Sequence, residues 1–255
     1  MPTPFDMVGR EAEQYGAWDA RLRLEIPFFS TLLRQREARR VCDAGCGEGR
    51  HTVALAQMGF SMTGVDPRAD SFELGRRLAR EAGVEVAFHE GEFGTLAAIP
   101  GAPFDAVVAI GNALSLLPDW NVLPAALHGI AASLVPNGHF ICQIPNYHRL
   151  ENPAHRWKPL RETEERREDS PVLLLKHFAP WGNRYFAAEF VRIWKDPDKG
   201  WVNEIKQTRL LALTRERLET SLAVEFEVIN LYGHADGRPF GDDAPDVIVL
   251  ARRKE

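Results

Sequence analysis

The feature that most constrains this chain is the stretch RRVCDAGCGEGRHTVALA at residues 39–56, with glycines at every second position from Gly45 to Gly49. An apolar run precedes the glycines and a helical pattern follows them, so the stretch predicts a strand, a tight turn and a helix. A backbone without side chains lets a ligand lie against the turn. The start of the helix adds free N–H groups and a partial positive charge. Both features favour a nucleotide-like ligand that carries a carboxylate or a phosphate.

Strand-like and helix-like stretches alternate around this turn. The strand-like stretches are residues 41–42, FSMTGVD, VEVAFHE, FDAVVAIGN and HFICQIPNY. The helical ones are TVALAQM, SFELGRRLAREAG and VLPAALHGIAASL, the last followed by a turn at Asn137 and Gly138. This alternation predicts a parallel sheet with right-handed crossovers.

An amphipathic helix is predicted upstream of the alternating region. Its apolar face carries side chains at helical spacing, namely Leu22, Ile26, Phe29 and Leu33. Pro27 interrupts this pattern and is expected either to kink the helix or to mark its start.

The pattern changes at about residue 150. The charge run RETEERRED at residues 161–169 is expected to be a solvated surface loop. Three strand-like stretches follow, PVLLLKHFAP, NRYFAAEFVRIWKD and WVNEIKQTRLLAL, and they predict an antiparallel patch. A helix and two strands then resume with TRERLETSL, EFEVINLYG and DVIVLARRK.

We therefore predict an α/β fold with a Rossmann-like, seven-stranded, mostly parallel sheet, helices on both faces, and an antiparallel β insertion after strand five. Residues 1–149 are predicted to form the core with an N-terminal helical cap, 150–213 the insertion, and 214–255 the completion of the core. The insertion is rich in aromatic side chains, which are expected to line a substrate lid or a dimer interface: Trp157, Trp181, Tyr185, Phe186, Trp194 and Trp201.

Composition limits the partners and the compartment. The 255 residues carry a net charge of −5 with both signs mixed, which argues against a nucleic-acid groove. Three cysteines make no disulfide framework, and no residues have metal-site spacing, so no metal is expected. The absence of a signal peptide and of a long apolar run predicts a soluble, cytoplasmic protein without a membrane segment.

Two acids flank the glycines and indicate which nucleotide they suit. Asp43 precedes the turn, and Asp66 ends the next strand, where a carboxylate can accept hydrogen bonds from ribose hydroxyls. The dinucleotide pattern G-x-G-x-x-G requires a glycine where this chain has Arg50. The pattern therefore favours S-adenosylmethionine (SAM), and an NAD-dependent oxidoreductase is the alternative.

The segments VCDAGCGEG, GVD, FHEGEFGTL, FDAVVAIGNALSLLPD and LVPNGHFICQIPNY resemble, in this order, those of class I SAM-dependent methyltransferases. The resemblance is strongest to the glycine/sarcosine N-methyltransferase-like group. It implies methyl transfer to a small-molecule acceptor, with an amine nitrogen expected and S-adenosylhomocysteine (SAH) as product. Alternatives are O-methylation of a small metabolite, a SAM-binding protein without catalysis, and, against the charge, RNA methylation.

The resemblance also implies roles for individual residues. Expected cofactor contacts are Tyr15, Arg21, Asp43, Gly45, Cys46, Gly47, Gly49, Asp66, Pro67, Glu92, Phe93 and Ile110. Among them, Arg21 is expected at the SAM carboxylate, Asp43 at its ammonium and Asp66 at its ribose. Glu92 and Phe93 are expected at the adenine.

Asn112 and Tyr147 are the residues expected on the acceptor side. Glycine-methylating enzymes carry an arginine before the Asn-Tyr pair, and this chain has Ile144 and Pro145 there instead. This departure argues against glycine as the acceptor unless an arginine of the insertion replaces the missing one: Arg149, Arg156 or Arg192. The histidines near strand ends are expected to be structural: His51, His89 and His148.

Overall fold

A computed structural model describes residues 17–167 and 170–255 of this chain. The chain divides into two compact units. The larger unit comprises Leu22–Asn146 and Leu213–Glu255. The smaller one comprises Tyr147–Ala212 together with the described residues up to Arg21.

Helices and strands alternate along the chain as the apolar pattern predicts. The helices are α1 (Ala17–Gln35), α2 (Arg50–Gln57), α3 (Phe72–Ala82), α4 (Leu123–Ala132) and α5 (Arg215–Leu222). The strands of the larger unit are β1 (Arg40–Ala44), β2 (Ser61–Asp66), β3 (Val86–Glu90), β4 (Phe104–Ala109), β5 (Leu134–Pro145), β10 (Phe226–Tyr232) and β11 (Asp246–Arg253).

Seven strands form one sheet in the order β10-β11-β5-β4-β1-β2-β3. The pairs β1–β2, β1–β4, β2–β3 and β4–β5 are parallel, whereas β11 runs antiparallel to β5 and β10 antiparallel to β11. This confirms the predicted fold class. The chain order reverses between β1 and β4, and in open α/β sheets ligands bind beyond the carboxyl ends of the strands at such a point.

The predicted amphipathic helix corresponds to α1. Three of its predicted apolar residues are buried and pack in the main hydrophobic core, namely Ile26, Phe29 and Leu33. Pro27 lies inside the helix rather than at its start. Its carbonyl oxygen accepts hydrogen bonds from the hydroxyls of Ser30 (3.1 Å) and Thr31 (2.7 Å).

The turn expected at Asn137 and Gly138 lies inside a strand. β5 begins at Leu134, and its pairing with β4 shifts register between Leu134 and His139. Asn137 adopts a φ of 60°, which residues of its type tolerate better than most. The turn that was predicted between the helix and this strand is therefore an irregularity within β5.

The insertion contains four strands rather than three. They are β6 (Trp157–Arg167), β7 (Ser170–Trp181), β8 (Tyr185–Asp196) and β9 (Gly200–Leu211), and they form an antiparallel sheet in that order. Most of the charge run expected to be a surface loop therefore belongs to β6. β6 is an edge strand, where charged side chains are tolerated because one side of the strand is unpaired.

Among the described side chains of the insertion, the large apolar ones that remain exposed share one face of its sheet. The pairings Trp157–His177, Leu173–Ile193, Trp181–Tyr185, Trp201–Lys195 and Ile205–Val191 all involve odd-numbered residues, which point to the same side. We call this set the exposed apolar face: Trp157, Leu173, Trp181, Trp201 and Ile205.

Among the described residues, no helix combines the length and the apolar character that crossing a membrane requires. The three cysteines are free thiols. Burial raises the pKa of Cys142 to about 12, so this thiol is uncharged at neutral pH.

Candidate functional site

The glycine-rich loop joins the end of β1 to the start of α2. Gly45, Gly47 and Gly49 all have positive φ, at 74°, 52° and 76°. This left-handed conformation strains residues that carry a Cβ atom, so the loop needs glycines for its backbone shape alone.

Packing adds a second restriction at two of the three glycines. A Cβ on Gly45 would lie 2.6 Å from the Cβ of Ala113, and one on Gly49 would lie 2.6 Å from the ring of Phe88. A Cβ on Gly47 would meet nothing within 4 Å. Packing therefore excludes side chains at the outer two positions, whereas the backbone of Gly47 borders open space.

The ring of Phe88 accounts for further glycines. A Cβ on Gly64 of β2 would lie 2.8 Å from this ring, and one on Gly75 of α3 would lie 2.7 Å from it. Phe72 stacks on Phe88 with ring centroids 5.4 Å apart. The loop, β2 and α3 thus approach one another across a single aromatic ring.

Asp66 anchors the loop at Gly47. The Gly47 N–H donates to Oδ2 of Asp66 at 2.9 Å, and the Arg68 N–H donates to Oδ1 at 3.0 Å. The hydroxyl of Ser71 donates to the Gly47 carbonyl at 2.9 Å. Since a carboxylate offers about four acceptor positions, these two bonds leave Asp66 able to accept more.

Burial raises the pKa of Asp66, and the two backbone N–H groups of Arg68 and Gly47 act in the opposite direction. Asp43, on β1, is only 2% exposed and accepts a hydrogen bond from the Thr52 hydroxyl at 2.7 Å. Burial raises its pKa as well, against the effects of Thr52 and His51. Two carboxylates held largely away from water are sites where a donor or a cation is favourable.

A buried polar network lies on the same unit. His51 Nε2 and Glu25 Oε2 are 2.6 Å apart, and both residues are less than a tenth exposed. The Gln143 amide donates to Glu25 at 3.0 Å and to Asp246 at 3.2 Å. The network joins α1, α2, β5 and β11, and its link between Glu25 and His51 was not predicted from the sequence.

Other predicted cofactor residues lie around the same loop. The ring of Phe93 is half-buried and would be 3.4 Å from a Cβ on Gly45. Glu92 is exposed and caps the short helical turn Phe93–Ala98. Ile110 is half-buried and packs against the main core. Cys46 is half-buried in the loop, and Pro67 is exposed after Asp66.

Asn112 and Tyr147 differ in their surroundings. Asn112 is half-buried beside Ala113, the residue that touches Gly45, and its carbonyl accepts the Leu116 N–H at 3.0 Å. Tyr147 is fully buried and packs on Phe186 with ring centroids 5.3 Å apart.

Tyr15 lies outside the described residues. Arg21 is half-buried and belongs, like Tyr147, to the unit that contains the insertion. The roles of these three residues stay predictions.

Three structural contacts of the site were missed from the sequence. Thr52 could have been recognised, because it stands in the first turn of the helix that follows Asp43. Ser71 and Asn146 carry no such signal, since their partners are distant in the chain. The Asn146 amide donates to the carbonyls of Asp242 (2.8 Å) and Ala244 (2.9 Å), which fixes the approach to β11.

Comparison with known proteins agrees with this geometry. Residues 41–138 match the family described as Methyltransferase domain. The chain is 31% identical to the glycine/sarcosine N-methyltransferase of Parasynechococcus marenigrum over 133 aligned residues. These residues cover 52% of this chain and 47% of that protein. It is 34% identical over 124 residues to the ubiquinone biosynthesis O-methyltransferase of Alkalilimnicola ehrlichii, with 48% of each covered. The chain thus spans about half the length of the curated relatives it matches.

Solved structures share the fold over nearly the whole chain. A SAM-dependent methyltransferase from Clostridium acetobutylicum superposes with a TM-score of 0.77 at 13% identity, covering 97% of this chain and 99% of that one. SAM-bound CalS10 from Micromonospora echinaspora, an amino pentose methyltransferase, gives a TM-score of 0.69 at 21% identity, covering 93% and 97%. Residues 41–138 are thus similar to the Methyltransferase domain family, and the chain shares its fold with solved SAM-dependent methyltransferases.

Proposed function

We propose that this protein transfers a methyl group from SAM to an amine nitrogen of a small molecule. The observation that carries the proposal is the loop at Gly47: its backbone borders open space, and its N–H is held by a carboxylate that still has acceptor positions free. A loop of this kind suits a nucleoside whose ribose must bind a carboxylate while its remaining atoms lie against bare backbone.

The proposal includes the following cofactor contacts. Asp66 accepts the ribose hydroxyls, and the backbone at Gly47 lies along the ribose and the methionine part. Asp43 faces the ammonium, directly or through a water molecule. Phe93, beside Gly45, contacts the adenine with Glu92.

SAM, when bound, supplies a methyl group on a sulfonium that needs no assistance to leave. The residues of the chain therefore align the acceptor with that methyl and exclude water. The acceptor lone pair forms the new N–C bond, the electrons of the S–C bond remain on sulfur, and the methylated nitrogen then releases a proton. An amine that is unprotonated on attack requires no strong base.

An amine is favoured over a hydroxyl by two considerations. The relatives and structures include the glycine/sarcosine N-methyltransferase and the amino pentose methyltransferase. The half-buried amide of Asn112, beside the glycine loop, can orient an amine. Glycine itself is not proposed, because Ile144 and Pro145 stand where an arginine would hold its carboxylate. The match to the ubiquinone O-methyltransferase keeps O-methylation of a small metabolite as the second candidate.

A second copy of this chain is the partner that we propose for the exposed apolar face. Its three tryptophans are each more than half exposed, with Trp201 at 69%. With Leu173 and Ile205 they leave on the order of 500 Å² of apolar surface in water, although the polar row His177, Glu189 and Gln207 crosses the same face between Trp181 and Leu173. This total is more than half of the roughly 800 Å² that each partner of a stable dimer buries.

Replacing Asp66 with alanine is expected to weaken SAH binding more than about tenfold, because a hydrogen bond to a charged group contributes ~1.5–3 kcal/mol. Calorimetric titration with SAH measures the change. Asp105→Ala is the matched control. Asp105 also accepts two backbone N–H groups, of Arg39 (2.9 Å) and Arg40 (2.8 Å), but it lies near the start of β4, at the edge of the sheet opposite the loop. Equal affinity of the Asp66 variant and the wild type would show the ribose assignment to be wrong.

Gly47→Ala is expected to weaken SAH binding by an order of magnitude or more, because its new methyl group occupies the open space beside the loop. The backbone strain costs about 1–2 kcal/mol of stability. Gly59→Ala controls for this strain, since Gly59 has a φ of 96° and likewise no neighbour within 4 Å of an added Cβ. The expectation fails if both variants bind SAH equally well when compared by calorimetry.

Asn112→Ala is expected to leave SAH affinity unchanged and to lower acceptor turnover at least tenfold, because the amide orients the acceptor and not the cofactor. The acceptor is first found by mass spectrometry, as the member of a panel of small amines, hydroxyls and thiols that gains one methyl group. Methylation of hydroxyls alone would favour the O-methyltransferase. If Asn112→Ala instead weakens SAH binding, Asn112 contacts the cofactor and not the acceptor.

The double variant Trp201→Lys and Ile205→Lys is expected to convert a dimer to a monomer in sedimentation velocity, because two added cations on each copy oppose burial of the face. Val224→Lys is the control, because Val224 is an equally apolar residue, 76% exposed, outside the insertion. A wild-type chain that sediments as a monomer at micromolar concentration would contradict the dimer.

A further inference from the structure

One buried oxygen of the larger unit has no hydrogen-bond donor within the described part of the chain. Gln143 lies near the end of β5 and is only 3% exposed. Within residues 17–167 and 170–255, no group donates to its side-chain oxygen Oε1, and this atom is shielded from solvent. Buried polar atoms are nearly always paired, because an unpaired one keeps the cost of losing its water. The oxygen of Gln143 is therefore a candidate contact for a bound molecule.

The amide of Gln143 has one favourable orientation. Its Nε2 donates to Glu25 at 3.0 Å and to Asp246 at 3.2 Å. An ionised carboxylate accepts hydrogen bonds and donates none. Turning the amide over would therefore break both bonds and place its oxygen against two carboxylates. The nitrogen is thus fixed at the carboxylates, and the atom left over is an acceptor that requires an N–H or O–H group.

Strand register places Gln143 next to the residue proposed for the acceptor side. Ala109, the last residue of β4, pairs with Cys142 of β5 in parallel register. Gln143 therefore lies beside Ile110, and Asn112 follows two residues later in the turn that leaves β4. All of these residues belong to the larger unit.

The glycine-rich loop begins on the other side of β4. Asp43 of β1 pairs with Val108, so the backbone at Gly45 reaches the level of Ile110. Neighbouring strands are about 4.8 Å apart, so Gln143, one strand beyond β4, is on the order of 10 Å from the loop. This offset suits the acceptor, because a nucleophile in line with the S–C bond lies beyond the cofactor methyl and not against the loop.

We propose that Oε1 of Gln143 accepts an N–H of the amine that receives the methyl group, so that Gln143 selects amines that still carry a hydrogen. The inference rests on the proposed function and adds a residue of β5 to the acceptor side. A bond from the N–H to a fixed oxygen orients the nitrogen, whose lone pair is then held toward the methyl group.

This hydrogen bond strengthens during the reaction. As the nitrogen lone pair forms the N–C bond, positive charge develops on the nitrogen and its N–H becomes a stronger donor. The electrons of the S–C bond stay on sulfur, and the ammonium product afterwards releases its proton to solvent. An interaction that is stronger in the transition state than in the ground state raises the rate. The two carboxylates add to this effect, because hydrogen bonds at Nε2 polarise the amide and make its oxygen a better acceptor.

A limit on the extent of methylation follows. A primary or secondary amine has an N–H for Oε1, whereas a tertiary amine has none, so successive methylation of one nitrogen is expected to stop at the tertiary amine. The test incubates the wild-type chain and SAM with an accepted amine, its N-methyl derivative and its N,N-dimethyl derivative, and follows the products by mass spectrometry. A quaternary ammonium product formed at a rate comparable to that of the first methylation would overturn the proposal.

Two variants separate the oxygen of this amide from its nitrogen. Gln143→Lys keeps a donor for both carboxylates and loses the oxygen, whereas Gln143→Met keeps the length of the side chain and loses both polar atoms. Each is expected to bind SAH as the wild type does in calorimetry. Each is also expected to lower kcat for the amine at least about tenfold, the loss typical of one hydrogen bond to a charged group. Gln57→Lys is the control, because it makes the same replacement at an exposed residue at the end of α2, and its kcat is expected to be that of the wild type.

The proposal is overturned if Gln143→Lys methylates the amine as fast as the wild type, because the amide would then serve only as a donor to the carboxylates. It is also overturned if Gln143→Met has wild-type kcat, because a loss in the lysine variant would then come from its charge. Should both variants fail to fold, the amine series on the wild-type chain decides. A wild-type chain that binds no SAH, or that methylates hydroxyls alone, would instead reject the proposed function.

Discussion

The hydrogen bond from the Gly47 N–H to Asp66 is the interaction on which the rest of the site depends. It ties the loop after β1 to the end of β2, and the hydroxyl of Ser71 donates to the carbonyl of the same residue, Gly47. The N–H groups of Gly45 and Cys46 also donate to the Val65 carbonyl, at 2.7 and 3.1 Å, so the loop is tied to β2 at both of its ends. The parallel sheet supplies the geometry, because it brings the carboxyl ends of neighbouring strands to the same edge.

The polar groups around this loop are arranged for a cationic nucleoside rather than for a phosphate. Burial raises the pKa values of both Asp43 and Asp66. Among the described residues, the cation that approaches either carboxylate is Arg68, whose side chain lies 3.9 Å from Asp66. Asp43 adds a second buried carboxylate before the glycines, and the two acids together disfavour a pyrophosphate beside the loop.

Much of the fold could be predicted because it follows from local patterns. The apolar face of α1 and the alternation of strands and helices depend on nearby residues only. The edge strand β6 could not be predicted, because its charged sequence is stabilised by pairing with β7 rather than by its own pattern. The start of β5 was missed for a similar reason: Asn137 and Gly138 signal a turn, and pairing with β4 overrides that signal.

The same contrast holds for the site. Asp43, Asp66 and the glycines are recognisable because their spacing is local. The bond between Glu25 and His51, and the bonds from Ser71 to Gly47 and from Asn146 to the residues before β11, connect positions far apart in the chain. Only the folded chain brings them together, so no spacing rule could have identified them.

Phe88 limits which glycines near the loop could be replaced. Its ring occupies the room that side chains at Gly49, Gly64 and Gly75 would need, so one side chain couples these positions. A smaller residue at 88 would remove the closest contact of a Cβ at Gly64, whereas Gly49 would stay strained at its φ of 76° and a Cβ at Gly75 would still lie 2.8 Å from the Glu48 carbonyl oxygen. Of the three glycines, Gly64 is therefore the one whose replacement depends most directly on the residue at 88.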